Sequence, residues 1–142
     1  EERKQALALA KFTTTLAQVS VPRINLIAGE AYGTAAEVMN SKAIGADFVL
    51  AWPQASVGMM DAEQAVRIMY AEEIDAADDK MALIAEKTTE YAEGQSSALA
   101  AAKRGYVDDI IEPDATRKRL IAAYEMLYGK KVTPVTKKHT AV

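Results

Sequence analysis

The sequence predicts an α/β fold in which a thin parallel sheet is outweighed by helices. Three observations predict it. Short apolar segments of strand length, Ile24–Ala28, Phe48–Ala51 and Tyr106–Ile111, alternate with longer segments of helical period. Pro22, Trp52-Pro53, Gly105 and Gly129 punctuate the boundaries between them. Between Val21 and Met39 a buried-strand pattern also runs through Gly29 and Gly33 into a helix start. Strands separated by helices call for parallel crossover connections.

Each element has its own signal. Glu2 to Gln18 carries Ala6, Leu7, Leu9, Ala10, Phe12 and Leu16 at helical spacing and reads as an amphipathic helix. Pro22 resets the backbone ahead of the strand Ile24–Ala28. Thr34 to Lys42 reads as a short helix, and Phe48 to Ala51 as a second apolar strand stopped by Trp52-Pro53. Ser56 to Met60 reads as an edge-like third strand. Asp61, with Gln64 three residues later, starts a helix through Tyr70. Asp75 to Tyr91 reads as one helix closed near Gly94, and Ser96 or Ser97 caps an alanine-rich helix to Arg104, with Gly105 as its stop. Tyr106 to Ile111 is the last strand. Pro113 or Asp114 opens a helix to Tyr128, which Gly129 ends, and a basic tail follows over about 130–142. No repeat or linker divides the chain, so residues 1–142 are expected to form a single unit.

Composition removes several function classes. The 142 residues carry a formal net charge of −3, so there is no basic footprint for nucleic acid. Lys, Glu or Asp interrupts the apolar runs well before the roughly 20 residues a membrane helix needs, which argues against direct membrane insertion. There is no cysteine, hence no disulfide, thiolate metal site or cysteine nucleophile; this is compatible with a reducing compartment, and a cytoplasmic location is the expectation. The lone histidine, His139, lies in the tail, where it is poorly placed for a catalytic triad or a metal site. No metal is expected. The chain begins with Glu1, and EERKQALALAKF has the look of a helix interior, which suggests a segment of a longer chain.

The remaining chemistry lies in the glycine-bearing turn. A strand-to-helix turn at Gly33 aims unpaired backbone N–H groups at whatever sits above it, which is the hardware of an oxyanion hole. GEAYGT lacks the lysine of a phosphate-binding loop and the third glycine of a dinucleotide fingerprint. Local sequence alone favours a strand-to-helix turn with no ligand.

Several short motifs in one order carry a family resemblance: Val21-Pro22-Arg23, Ala31-Tyr32-Gly33, Val38-Met39-Asn40-Ser41-Lys42, Gly45-Ala46-Asp47, Ala51-Trp52-Pro53 and Gly58-Met59-Met60. The pattern returns in Gly105-Tyr106-Val107-Asp108, Ile111-Glu112-Pro113 and Thr116-Arg117, and Lys137-Lys138-His139 resembles the family's basic tail. Together they resemble the C-terminal domain of the carboxyltransferase component of biotin-dependent acyl-CoA carboxylases and decarboxylases, of the propionyl-CoA carboxylase β-subunit and methylmalonyl-CoA decarboxylase α-subunit type. The resemblance implies a partial crotonase-like ββα superhelix and transfer of carboxylate between N1′ of biotin and the α-carbon of an acyl-CoA. It also implies the later part of that domain only. The partners it implies are an N-terminal CoA-binding carboxyltransferase domain, a biotin carrier domain and further copies in a homo-oligomer. Biotin is expected on a separate domain or subunit, because no AMKM-like sequence occurs here.

Carried over residue by residue, the resemblance assigns the biotin-side oxyanion hole to the backbone amides of Thr34 and Ala35, with Gly33 permitting close approach. Thr34 stands where glycine is frequent in the family; a main-chain donor survives that exchange. Ala36 and Glu37 stand where many members have Tyr-Asp beside the acyl pocket, which enlarges the pocket wall and lengthens the acid. Plainer readings stand beside these. Glu37 on a first helical turn would complement the helix dipole, Tyr32 and Trp52 would be core or interface aromatics, and Met59-Met60 would be packing. Asp75, Asp78, Asp79 and Lys80 read as a solvated face, whereas Met69, Tyr70, Met81 and Ile84 are candidates for a subunit contact. Two function classes stay open: the biotin-side part of a carboxyltransferase, and a crotonase-like scaffold fragment serving oligomerisation or subunit docking.

Overall fold

A computed structural model describes residues 2–131. The chain starts with the 17-residue helix α1 (Glu2–Gln18). Two strand–strand–helix units follow. The first is β1 (Ile24–Ile27), β2 (Glu30–Tyr32) and α2 (Gly33–Val38); the second is β3 (Phe48–Ala51), β4 (Ser56–Gly58) and α3 (Ala62–Met69). After α3 come α4 (Ala71–Ala76), α5 (Lys80–Tyr91), α6 (Ala98–Lys103), β5 (Asp109–Ile110) and α7 (Thr116–Leu127).

The first strands of the units form one sheet and the second strands another. β3 lies between β1 and β5, parallel to both, with Ile24 opposite Phe48, Ile27 opposite Ala51, and Ala51 opposite Ile110. β2 and β4 form a separate parallel pair, with Glu30 opposite Ser56 and Tyr32 opposite Gly58. The expected α/β class and ββα winding are therefore present, and the predicted edge strand at Ser56 is real, ending at Gly58.

The main core is built from small side chains. Val49 and Ala51 of β3, with Ala46, Ala55 and Val107, pack against Ala98 and Ala101 of α6. Alanine at these positions lets the helix approach the sheet closely, so exchange for a larger residue would force the layers apart. A second cluster holds α3, α4 and α5 together through Val66, Ile74 and Ile84, with Tyr70, Leu83 and Tyr91 around them.

Four of the differences from the sequence reading have a clear local reason. The helix expected over Thr34–Lys42 starts at Gly33 and stops at Val38, because Asn40 takes φ +64 and turns the chain into a short 3-10 turn over Lys42–Ile44. Asparagine tolerates that left-handed state better than most residues. The single helix expected over Asp75–Tyr91 is two, since Ala77 is extended and the Asp79 carboxylate caps α5 by accepting from Ala82 N–H at 3.0 Å. Gly94 does not stop α5; it sits inside a π-helical turn, Ala92–Ser96. The strand expected over Tyr106–Ile111 shrinks to Asp109–Ile110. Asp108 spends its side chain on the sheet instead, its carboxylate accepting from Val49 N–H at 2.8 Å.

Other expected punctuation is present. Asp61 caps α3 by accepting from the N–H groups of Glu63 and Gln64, Ser97 caps α6 by accepting from Ala100 N–H, and Gly105 has φ +82 after α6. Pro113 opens a 3-10 turn that leads into α7, which ends at Leu127, one residue before the expected end. Residues 132–142, with most of the basic tail and His139, lie outside the described residues.

Candidate active site

The carboxyl ends of β2 and β4 lie side by side; β2 runs directly into α2, and β4 reaches the Asp61 cap of α3 after Met59 and Met60. Parallel strands present their carboxyl ends to ligands because the loops and helix starts there can splay apart. On the β2 side, Tyr32 is extended (φ −118, ψ 146) and offers no side-chain cap to α2. The first N–H groups of any α-helix lack intrahelical acceptors. Among the described residues, no loop carbonyl and no side chain accepts from Thr34 or Ala35 N–H.

Gly33 is the hinge of this turn. Its φ of +58 is a left-handed conformation that side chains rarely adopt, and a β-carbon here would sit 3.2 Å from the Met59 carbonyl oxygen. The close approach follows from the β2–β4 register: Tyr32 faces Gly58, so Gly33 and Met59 emerge together. Thr34 and Ala35 are exposed, and Ala36 is half-buried. Glu37 is exposed but is the fifth residue of α2, beyond the first turn, so the dipole-complementing reading of it is not supported.

The structure separates the remaining candidates. Met59 is not packing: its side chain is 74% exposed. Ile84 is buried in the cluster of α3, α4 and α5 and Tyr70 packs half-buried against it, whereas Met69 and Met81 are exposed. The Trp52 indole N–H donates to Thr116 Oγ1 at 2.9 Å and tethers β3's end to α7. Trp52 also borders an open apolar groove of about 740 Å³ with Leu120, Ile121, Tyr124 and Tyr128. Among the described residues no acidic or histidine cluster suited to a metal occurs, and no helix is long and apolar enough to cross a membrane.

Several motif residues hold the scaffold behind this turn. The Arg23 guanidinium donates to the carbonyls of Leu16, Ile44 and Gly45 at 2.5, 3.0 and 2.6 Å, and its backbone N–H donates to the Asp47 carboxylate at 2.7 Å. Lys42 pairs with Asp108 at 2.8 Å, joining the 3-10 turn after α2 to the segment entering β5. The sequence singled out these residues as motifs without showing this work. Arg and Asp flanking an apolar strand were the available signal, but their partners are up to 83 residues away, as in the bond from Lys130 to the Asp47 carboxylate.

The carboxyl transferase domain model matches residues 7–142. The chain belongs to the carboxyl transferase domain family. It is 45% identical over 130 residues to a putative propionyl-CoA carboxylase beta chain of Bacillus subtilis, covering 92% of this chain and 26% of that one. It is 41% identical to methylmalonyl-CoA decarboxylase subunit alpha of Propionigenium modestum, over 92% of this chain and 25% of that one. Among solved structures, the transcarboxylase 12S hexamer with methylmalonyl-coenzyme A and methylmalonic acid bound superposes with a TM-score of 0.88. The identity is 39%, over 94% of this chain and 26% of that one. The beta subunit of Pseudomonas aeruginosa geranyl-CoA carboxylase, at 19% identity and a TM-score of 0.69, shares the fold. The fold is crotonase-like, as the resemblance implied, and the chain spans about a quarter of the length of these carboxyltransferase relatives.

Proposed function

We propose that this chain is the later part of the C-terminal domain of an acyl-CoA carboxyltransferase and forms its biotin side. The observation that carries the reading is the unspent pair of N–H groups at Thr34 and Ala35, placed by Gly33 at the carboxyl end of a parallel strand pair. A ureido oxygen is a hydrogen-bond acceptor of the kind such a pair suits, so these residues fit biotin. Bound biotin would supply a ring nitrogen that carries carboxylate to or from the α-carbon of an acyl-CoA.

The chain's own residues have definable tasks under this reading. Thr34 and Ala35 N–H donate to the ureido oxygen as negative charge develops there. Because the backbone is already oriented, no reorganisation is needed at the moment of reaction. Gly33 sets the direction of both donors. Ala36 and Glu37 border the space beside the hole, Ala36 leaving room where a larger side chain would close it. The thioester oxyanion, CoA binding and the biotin carrier are assigned to parts of the parent protein outside this chain. Homo-oligomerisation and a cytoplasmic location belong to the same proposal.

The test uses the full-length protein carrying this segment. Ala35→Pro deletes one N–H and is expected to reduce carboxyl transfer about 10²–10³-fold, with acyl-CoA binding intact and circular dichroism unchanged. Thr34→Gly keeps the donor and is expected to retain transfer. Normal transfer by folded Ala35→Pro protein, or its abolition by Thr34→Gly, overturns the assignment.

A further inference from the structure

The apolar groove along α7 has no part in the proposed function. Trp52, Leu120, Ile121, Tyr124 and Tyr128 line it. Ile121 and Tyr124 are about half exposed and Tyr128 is 94% exposed, so the strip is open to a packing partner. The described chain passes Tyr128 in the groove wall and reaches Lys131, beyond which the sequence continues as Val132 to Val142. Its first part, Val132-Thr133-Pro134-Val135-Thr136, is uncharged and half apolar, and the next, Lys137-Lys138-His139, is basic. At the far end of the groove stands Asp114, whose carboxylate makes no salt bridge among the described residues.

The lengths match. Tyr128 to Asp114 is about 21 Å along the helix axis, at roughly 1.5 Å per residue. Extended backbone from Lys131 to Lys137 covers about 20 Å, at roughly 3.3 Å per residue. We propose that residues 132–142 fold back antiparallel to α7 and fill this groove as an intramolecular clasp. Val132 then lies against Tyr124 and Tyr128, Pro134 and Val135 against Leu120 and Ile121, and uncharged Thr136 passes Arg117. Lys137 pairs with Asp114, which brings Lys138 and His139 to the carboxyl end of β3 beside Trp52. A tethered segment outcompetes a second copy of the chain because its local concentration is of millimolar order. Only one strip of α7 is covered, and Leu7, Leu9 and Phe12 of α1 stay open to other chains. The clasp does not depend on the biotin-side reading.

Disulfide trapping in the full-length protein carrying this segment tests the proposal. Oxidised glutathione takes two hydrogens from the paired thiols of Ile121→Cys/Val135→Cys, leaving a disulfide and two reduced glutathione molecules. Met126→Cys/Val135→Cys is the control, since Met126 is exposed on α7 but lies outside the groove. Peptide mass spectrometry on a mixture of isotopically light and heavy protein separates bonds within a chain from bonds between copies. The within-chain bond is expected to form at least about tenfold faster in the groove pair than in the control. Asp114→Lys is expected to slow it about threefold, and Lys137→Glu added to Asp114→Lys to restore it. Circular dichroism matching the parent protein qualifies each variant, and Ile121 is exposed enough to be replaced without opening the core. Equal rates in the two pairs, bonds only between copies, or a rate indifferent to Asp114→Lys or not restored by Lys137→Glu overturns the clasp.

Discussion

Lys130 Nζ lies 2.8 Å from the Asp47 carboxylate and joins the residue beyond α7 to the turn that enters β3. Both side chains are more than four-fifths buried, and Asp47 also accepts from Arg23 N–H. Burial by itself would raise the Asp47 pKa, but the hydrogen bond from Lys130, the Arg23 N–H and the two positive charges together hold it below the ordinary value. A carboxylate with a depressed folded pKa stabilises the fold above its unfolded pKa of about 3.9, and the contribution is lost as pH falls through the folded value. Lys130→Met is expected to cost about 1–3 kcal/mol at neutral pH. Urea unfolding at a series of pH values should show that deficit shrinking as the medium is acidified below about pH 4; a deficit independent of pH would refute the electrostatic account.

Gly45 and Arg23 form a second coupled pair. Gly45 has φ +92, and a β-carbon there would fall 2.7 Å from an Arg23 terminal nitrogen. Gly45→Ala therefore carries both backbone strain and a clash with a side chain already bound to three carbonyls. It is expected to destabilise by about 1–3 kcal/mol. In an Arg23→Ala background the same change should cost less, because only the strain remains. Thermal melts of the four members of the cycle check this, and additive effects would count against it.

Gly33→Ala should separate site geometry from stability. The left-handed φ and the 3.2 Å approach to the Met59 carbonyl both oppose a β-carbon. The expected penalty is about 1 kcal/mol or more in unfolding experiments. In the full-length protein, carboxyl transfer should fall further than this stability loss explains. Full transfer by Gly33→Ala protein would show that the turn need not be held so tightly.

Residues 1–142 on their own are expected to catalyse no acyl-CoA carboxylation or decarboxylation, since one oxyanion site without the other cannot hold both reactants in register. Measurable decarboxylation of malonyl-CoA or methylmalonyl-CoA by this chain would refute the partial-site proposal.

The isolated chain should also self-associate. Leu7, Leu9 and Phe12 along α1 are each at least 40% exposed, as are Ile121 and Tyr124 of α7 and Tyr128 just after it. Sedimentation velocity over a range of concentrations provides the check, a single monomer boundary at every concentration being the contrary result.

Signals carried by a few adjacent residues were legible in the sequence. The apolar strands Ile24–Ile27 and Phe48–Ala51, the caps Asp61 and Ser97 and the stop at Gly105 all rest on backbone preferences and short-range hydrogen bonds, and they appear where the residues place them. The turn at Gly33 was readable for the same reason: a glycine between a strand and a helix announces a conformation that other residues avoid. The Asp79 cap and the Asn40 turn carried comparable signals, but the helical period running across them obscured both.

Tertiary structure decided what depends on distant partners. Glu30–Tyr32 is too short and too closely bracketed by glycines to declare itself a strand; it becomes one because β4 arrives 26 residues later in parallel register. Whether a methionine is core or surface is likewise undetermined by its type, so Met59 could not be placed until the β2–β4 pair set its carbonyl against Gly33 and left its side chain outside. The Arg23, Asp47 and Lys130 network belongs to the same class. Sequence determined which backbone conformations were favourable, while long-range pairing and exclusion of water determined which surfaces meet, because those energies exist only once the chain has closed on itself.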